Sequence, residues 1–208
     1  MNKKCPLCFN NADDFFQDIQ TYYRCPNCDG IFVDKEDFLQ LEIEKKVYEQ
    51  HNIDTSDEGY RNFVSPITQL ITQEHTQDAK GLDFGAGRSC IISTVLKEKS
   101  FNVEDYDIFF HNKRELLEEK YNFISSCEVV EHFHQPHKEF EHLRDMLEKN
   151  GSLYLMTDLY DEREFKTWYY KNDPTHVFFY TAKTFDYIKK EFGFSSMKVE
   201  GRLVVLSL

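Results

Sequence analysis

The chain is short of several things, and each shortage excludes something. No apolar run approaches the ~20 residues that cross a bilayer as a helix, which argues against a helical membrane protein. The opening stretch, MNKKCPLCFNNADDFF, has no apolar region after its lysines, so no secretory leader is read there and a cytoplasmic protein is expected. Positive charge is scarce: 25 Lys and Arg stand against 37 Asp and Glu, a net charge of -12. Such a chain repels anionic partners at long range, which disfavours bulk-charge binding to nucleic acid or anionic lipid. No internal repeat and no low-complexity tract is present.

Other features are abundant. The 208 residues include 19 Phe and 12 Tyr, enough for a well-packed core and a stacking pocket. Four of the six cysteines fall in the first 28 residues as CPLC (Cys5, Cys8) and CPNC (Cys25, Cys28), with sixteen residues between Cys8 and Cys25. A cytosolic chain rarely keeps disulfides, so paired knuckles of this spacing read as a tetrahedral thiolate site for Zn²⁺. A four-thiolate iron centre is the lesser alternative. With four protein ligands the site has no open position and is expected to be structural. Residues 1–34 hold too little apolar core to fold without metal.

Residues 35–78 read as a helical linker and cap. DKEDFLQLEIEKKVYEQHN predicts one helix with Phe38, Leu41, Lys45 and Tyr48 on one face. SDEGYRNFVSPITQLITQEH predicts a second, with Tyr60, Phe63, Ile67, Leu70 and Ile71 inward and Pro66 as a kink or break. From residue 79 strands and helices alternate to the end of the chain. GLDF, FNVEDYDI, YNFISSCEVV and SLYLMT read as strands. SCIISTVLKEK, PHKEFEHLRDMLEKN (stopped by Gly151) and TAKTFDYIKKEFGF read as helices, and SMKVEGRLVVLSL as a hairpin about Gly201. This order predicts an α/β Rossmann-like doubly wound sheet, mostly parallel with one antiparallel strand near the C-terminus, behind a small four-cysteine zinc ribbon.

The loop KGLDFGAGRSCI, Lys80 to Ile91, carries the functional signal. Gly85 and Gly87 let the chain turn sharply and approach a ligand closely. The helix that follows offers free N–H groups and a positive dipole end. Asp107 lies twenty residues beyond Gly87, at the end of the second strand, where a carboxylate can accept from ribose hydroxyls. Ser89 stands where a dinucleotide loop carries its third glycine. That departure favours a phosphate-free adenosyl ligand, S-adenosylmethionine, over NAD.

LDFGAGRS, CEVVEHF and LEKNGSLYLMT together resemble the class I S-adenosylmethionine-dependent methyltransferases. The E-x-x-EH of EVVEHF is similar to the ubiquinone-biosynthesis O-methyltransferase subgroup. HNIDTSDEGYRNF and WYYKNDPTHVFFYTAKTF are similar to a subset of its relatives, some with an N-terminal zinc ribbon. The resemblance implies a seven-stranded sheet whose last strand is antiparallel. It also implies that Cys127 and Glu128 line the donor pocket. Two departures stand out: Ser89, and a segment between Asp107 and Tyr121 too short for the usual fourth strand, which leaves adenine contact to Phe109 or Phe110.

Asp83, Gly85 and Gly87 are expected around the methionine end of the donor and Asp107 at its ribose. Tyr60 and Arg61 would close over it, Arg61 pairing with the donor carboxylate. His132, after Glu131, and His176, in DPTHVFF, are the candidate proton acceptors. FKTWYY is a candidate acceptor wall, while His134 and His137 are expected to be exposed. The reading is methyl transfer to an unidentified acceptor. A small molecule is favoured over RNA or protein, because Lys/Arg clusters are sparse. A catalytically inactive interaction module and an NAD-dependent oxidoreductase are the alternatives.

Overall fold

The structure, a computed structural model, describes residues 3–50 and 54–208. Four short strands open the chain: β1 (Lys3–Lys4), β2 (Asn11–Gln17), β3 (Thr21–Arg24) and β4 (Ile31–Val33). They pair in order as antiparallel neighbours. The ribbon does not close on itself. Its last strand pairs with β9 (Phe178–Phe179), a two-residue strand near the other end of the chain, with Ile31 opposite Phe179 and Phe32 opposite Phe178. Gly30 faces the Phe178 ring so closely that a Cβ there would lie 2.4 Å from it. Tyr22, Ile31 and Val33 of the ribbon share a buried cluster with Tyr160, Phe165, Trp168, Tyr170 and Phe179. FKTWYY thus serves first as core: Phe165 and Trp168 are buried, and only Tyr169 and Tyr170 reach the cavity described below.

The linker departs from expectation at its first helix. Phe38 precedes α1 (Leu41–Glu49) and stacks on exposed His134. Leu41 and Ile43 are exposed, and the one buried residue of α1 is Glu44, which accepts from the Tyr48 hydroxyl at 3.0 Å. The predicted run through His51 and Asn52 lies outside the described residues. The second stretch breaks as Pro66 foretold. α2 (Glu58–Phe63) ends at Val64, and α3 (Ser65–Glu74) begins with the proline in its first turn, where no N–H is needed.

The second sheet has six strands in the order β10-β11-β8-β7-β5-β6. β5 (Lys80–Phe84) is parallel to both β6 (Asn102–Tyr106) and β7 (Tyr121–Cys127), and β7 is parallel to β8 (Leu147–Met156). β11 (Leu203–Ser207) runs antiparallel to β8 and to β10 (Ser196–Glu200). The expected mixed sheet and closing hairpin are therefore present, but with six strands rather than seven. The link from β6 to β7 holds a turn bridged from Asp107 to His111 and a 3₁₀ turn, Arg114–Glu118, too little chain for a strand and its crossover. Gly151 does not stop a helix. α5 (Pro136–Asp145) has ended before it, and Gly151 sits in a bulge of β8, where the register jumps from Tyr121 opposite Leu147 to Phe123 opposite Ser152. A Cβ there would meet the Glu148 carbonyl at 2.9 Å.

Helices cover both faces. α3 and α4 (Ile91–Glu98) place Ile67, Ile71, Ile92 and Leu96 on one side. α5 and α6 (Ala182–Glu191) place Phe140, Leu143, Phe185 and Ile188 on the other. α6 starts on a capping box formed by Thr181 and Thr184. From β5 the chain winds outward in both directions, so the carboxyl ends of β5 and β7 diverge and leave a crevice.

Candidate active site

That crevice is a cavity of about 760 Å³. One wall is built by backbone. The Gly85 and Ala86 N–H groups both donate to the Tyr106 carbonyl, at 2.9 and 3.0 Å, bending the chain as it leaves β5. Gly85 has φ +76, and a Cβ on it would lie 2.4 Å from Val129, so only glycine fits. Gly87, at φ +62, donates its N–H to Asp107 Oδ2 at 3.0 Å. Asp107 Oδ1 accepts from the N–H groups of Phe109 and Phe110, at 2.8 and 3.0 Å. The acid expected at the ribose thus also clamps its own loop. Phe109 and Phe110 line the same wall. α4 begins at Ile91, two residues later than expected, after a left-handed Cys90. Asp83 holds its start by accepting from the Ser93 N–H and the Ser125 hydroxyl. Burial pushes the Asp83 carboxyl up to about 7.

The opposite wall is made of side chains. Glu128 follows β7 with φ 54, an unusual left-handed conformation for a glutamate. Both of its oxygens accept from Arg202 Nη2, at 2.6 and 2.5 Å. Burial and the neighbouring Glu131 still push the Glu128 carboxyl upward. Glu131 is completely buried and accepts from the Tyr170 and Thr157 hydroxyls. Its carboxyl is pushed up to about 7, by burial above all. His132 and His176 stand over it, ring centroids 4.8 Å apart. Each Nδ1 faces a backbone carbonyl, His132 that of Thr175 at 2.9 Å and His176 that of Tyr170 at 2.7 Å. A carbonyl can only accept, so Nδ1 carries the proton and Nε2 is left as the ring's acceptor, 4.0 Å from Glu131 Oε1 in both rings. Burial lowers both imidazoles, His176 to about 4, so both are neutral near pH 7.

Of the residues singled out in the sequence, Tyr60, Asp83, Gly85, Gly87, Asp107, Cys127, Glu128, His132 and His176 line this one cavity. Arg61 does not. Its guanidinium is held on the outside by Glu98, at the end of α4, and by the Thr55 carbonyl. The sequence could not show that pairing, because Arg61 and Glu98 meet only once α2 packs on α4. His137 is partly buried rather than exposed, its Nδ1 2.9 Å from the Leu7 carbonyl in the ribbon. Sequence reasoning gave no role at the site to Arg202 or Tyr48. Arg202 sits in the turn of the terminal hairpin, where an arginine carries no local signal. Tyr48 packs edge-on to His132 with ring centroids 5.4 Å apart.

Away from the cavity, the thiols of Cys5, Cys8, Cys25 and Cys28 converge in the ribbon, all buried and all within 4.8 Å of one another. Cys5 and Cys28 lie 3.5 Å apart and Cys8 and Cys25 3.3 Å apart. No helix among the described residues is long and apolar enough to cross a membrane.

Comparison with known proteins agrees with this architecture. A methyltransferase domain family model matches residues 56–199. No curated protein sequence matches. Among solved structures, a SAM-dependent methyltransferase from Archaeoglobus fulgidus is similar with a TM-score of 0.56 at 14% identity, over 71% of this chain and 94% of that one. Phosphoethanolamine N-methyltransferase 2 of Haemonchus contortus is similar with a TM-score of 0.55 at 14% identity, over 77% of this chain and 43% of that one. CalO1, a methyltransferase of calicheamicin biosynthesis solved with SAH bound, gives 0.52 at 12% identity, over 80% and 57%. The chain belongs to the methyltransferase domain family and has the class I S-adenosylmethionine-dependent methyltransferase fold.

Proposed function

We propose that the protein transfers a methyl group from S-adenosylmethionine to a small-molecule acceptor bound against the histidine wall. The observation that carries this reading is the Gly87–Asp107 clamp at the mouth of the cavity. Two backbone turns and one carboxylate at that mouth, with no third glycine for a pyrophosphate, support an adenosyl ligand. The cavity fits such a donor in size and in chemistry. When bound, S-adenosylmethionine supplies an electrophilic methyl carbon on a cationic sulfur. The chain offers aromatic faces to that charge, among them Tyr60 and Tyr169.

The histidine wall would meet the acceptor. Nε2 of His132 or His176 is the proton acceptor, oriented through its Nδ1–H. Burial lowers the proton affinity of both rings, so each is held neutral and ready to accept. Glu44, Glu139 and Asp173 also line the cavity, which disfavours a polyanionic acceptor such as RNA. The four ribbon thiols would hold a structural Zn²⁺, and residues 1–34, 35–78 and 79–208 act as ribbon, cap and catalytic unit.

Thermal unfolding of the zinc-loaded protein tests the donor site, with S-adenosylmethionine, S-adenosylhomocysteine and NAD in parallel. Ligand at about 100 times its Kd adds roughly 2.7 kcal/mol, or a rise of about 5–10 °C in a chain of this size. A rise with both adenosyl ligands and none with NAD is expected. No rise with either at millimolar concentration would overturn the reading.

A further inference from the structure

The carboxylates around the cavity are of two kinds. Asp83, Asp107 and Glu128 are met by the chain itself, through N–H groups, a hydroxyl or the Arg202 guanidinium. Glu44 is not. It is 6% exposed and lines the cavity from α1, and its hydrogen bond comes from the neutral Tyr48 hydroxyl, at 3.0 Å. No lysine, arginine or histidine among the described residues makes an ion pair with it. A carboxylate withdrawn from water is costly until a cation or several donors meet it.

Asp173 belongs to the same corner, at the rim. Thr175 donates its N–H and its hydroxyl to Oδ1, at 2.9 and 2.6 Å, and Oδ2 stands 3.9 Å from His176 Nε2. His176 is neutral near pH 7 and brings Asp173 no charge. Burial opposes the Asp173 charge, but the two Thr175 bonds hold its carboxyl below the usual range, so it is ionised. Tyr48 and His132 both sense the two acids. Burial first, then Glu44 and more weakly Asp173, push the Tyr48 hydroxyl upward. Burial lowers His132, while the Thr175 carbonyl, Asp173 and Glu44 oppose that shift. The corner also has aromatic surface, since Tyr48 lies 5.6 Å from Phe109 between ring centroids and both rings line the cavity.

We infer that Glu44 and Asp173 form a subsite for the ammonium group of a small-molecule amine, which is the methyl acceptor. An ammonium group brings one charge and three N–H donors. It can donate to Glu44 and to Asp173 Oδ2, which Thr175 leaves unused, and lie against the faces of Tyr48 and Phe109. A neutral or anionic acceptor would leave Glu44 buried without a cation. Arg88 is the one lysine or arginine lining the cavity among the described residues, and it stacks on Phe110 at 5.1 Å, on the glycine wall. The acceptor corner thus selects by charge as well as by shape. Calling the amine an acceptor rests on the methyltransferase reading; its binding does not.

The test is titration calorimetry on the zinc-loaded 208-residue chain, in a buffer free of amines, with benzylamine, benzyl alcohol and benzoate. The three probes share a ring and differ in the charge of the head group. Benzylamine is expected to bind about 10-fold or more tightly than benzyl alcohol, and benzoate not measurably. Glu44→Gln keeps the side-chain volume and an acceptor for Tyr48. It should weaken benzylamine by about 10-fold or more and leave benzyl alcohol unchanged. Asp173→Asn, whose Oδ1 still accepts from Thr175, should act in the same sense by a smaller factor. Benzyl alcohol bound as tightly as benzylamine by the wild-type chain, or no benzylamine binding at millimolar concentration, would overturn the subsite without any variant. A folded Glu44→Gln protein that keeps the preference for the amine would overturn it equally. S-adenosylhomocysteine binding, measured separately without amine, decides the donor reading on its own.

Discussion

The two walls of the cavity are built in opposite ways. The glycine wall is backbone: Gly85, Gly87 and the N–H groups around Asp107, all supplied within residues 84–110. The histidine wall is side chain: Glu128, Glu131 and His132 after β7, His176 before β9, and Arg202 from the terminal hairpin. The first wall is shaped by which φ values each residue tolerates. The second is shaped by how buried charges find partners. A local substitution should therefore spoil the first, and a distant one the second.

The widest separation of the two should come from removing the proposed metal from the ribbon. β4 pairs directly with β9, two residues beyond His176, so losing the ribbon unpins the histidine wall. Structural zinc binding is worth about 10–16 kcal/mol in isolated fingers, coupled to their folding. Chelation, or Cys25→Ser, is expected to abolish hydrogen-exchange protection at Phe178 and Phe179 while β5 and β7 stay protected. Equal loss in both regions would show that the walls are not independent.

Gly85→Ala attacks the other wall. It places a methyl group against Val129 in a backbone region that alanine avoids. A cost of about 2–3 kcal/mol is expected by denaturant unfolding, with S-adenosylhomocysteine binding lost. Asp107→Ala is gentler. It frees the Gly87 N–H and removes the carboxylate from the donor site, and a 10–100-fold weaker donor is expected by calorimetry, roughly 1.4–2.7 kcal/mol.

The last effect is one of pH. The folded-state pKa of Asp83, about 7, lies above that of an unfolded aspartate. Between about pH 4 and 7 the folded chain holds a proton there that the unfolded chain has released, so the Asp83 contribution to stability falls as pH rises. His176, lowered to about 4, acts the other way: its contribution is lost as pH falls from about 6.5 toward 4. Asp83→Asn should remove only the first slope. The difference between wild-type and variant midpoints should shift across pH 4–7 and be flat above it; a constant difference would mean that Asp83 is ionised throughout.

Much of the fold was legible because its signals are local. The break at Pro66, the order of strands and helices after residue 79 and the absent strand between Asp107 and Tyr121 all follow from short stretches. The misreadings have one source in common. Gly151 reads as a helix stop because glycine commonly is one, yet what decides its place is the fit of a β8 bulge against the Tyr121 carbonyl. Periodicity turns Leu41 inward, but α1 packs through Glu44 and Tyr48. Proximity in sequence gives Arg61 to the donor, and packing gives it to Glu98.

The sequence by itself determined the two cysteine knuckles, the glycine turn and the acid twenty residues beyond it. Each depends on spacing over a few bonds and on which residues tolerate a tight turn. Only the tertiary structure decided that the ribbon takes its fifth strand from Phe178 and Phe179, and that Arg202 neutralises Glu128. It alone set two histidines 44 residues apart over one buried carboxylate. Those choices follow from desolvation: a charge leaves water only where the finished core brings it a partner, and no stretch of chain specifies that partner in advance.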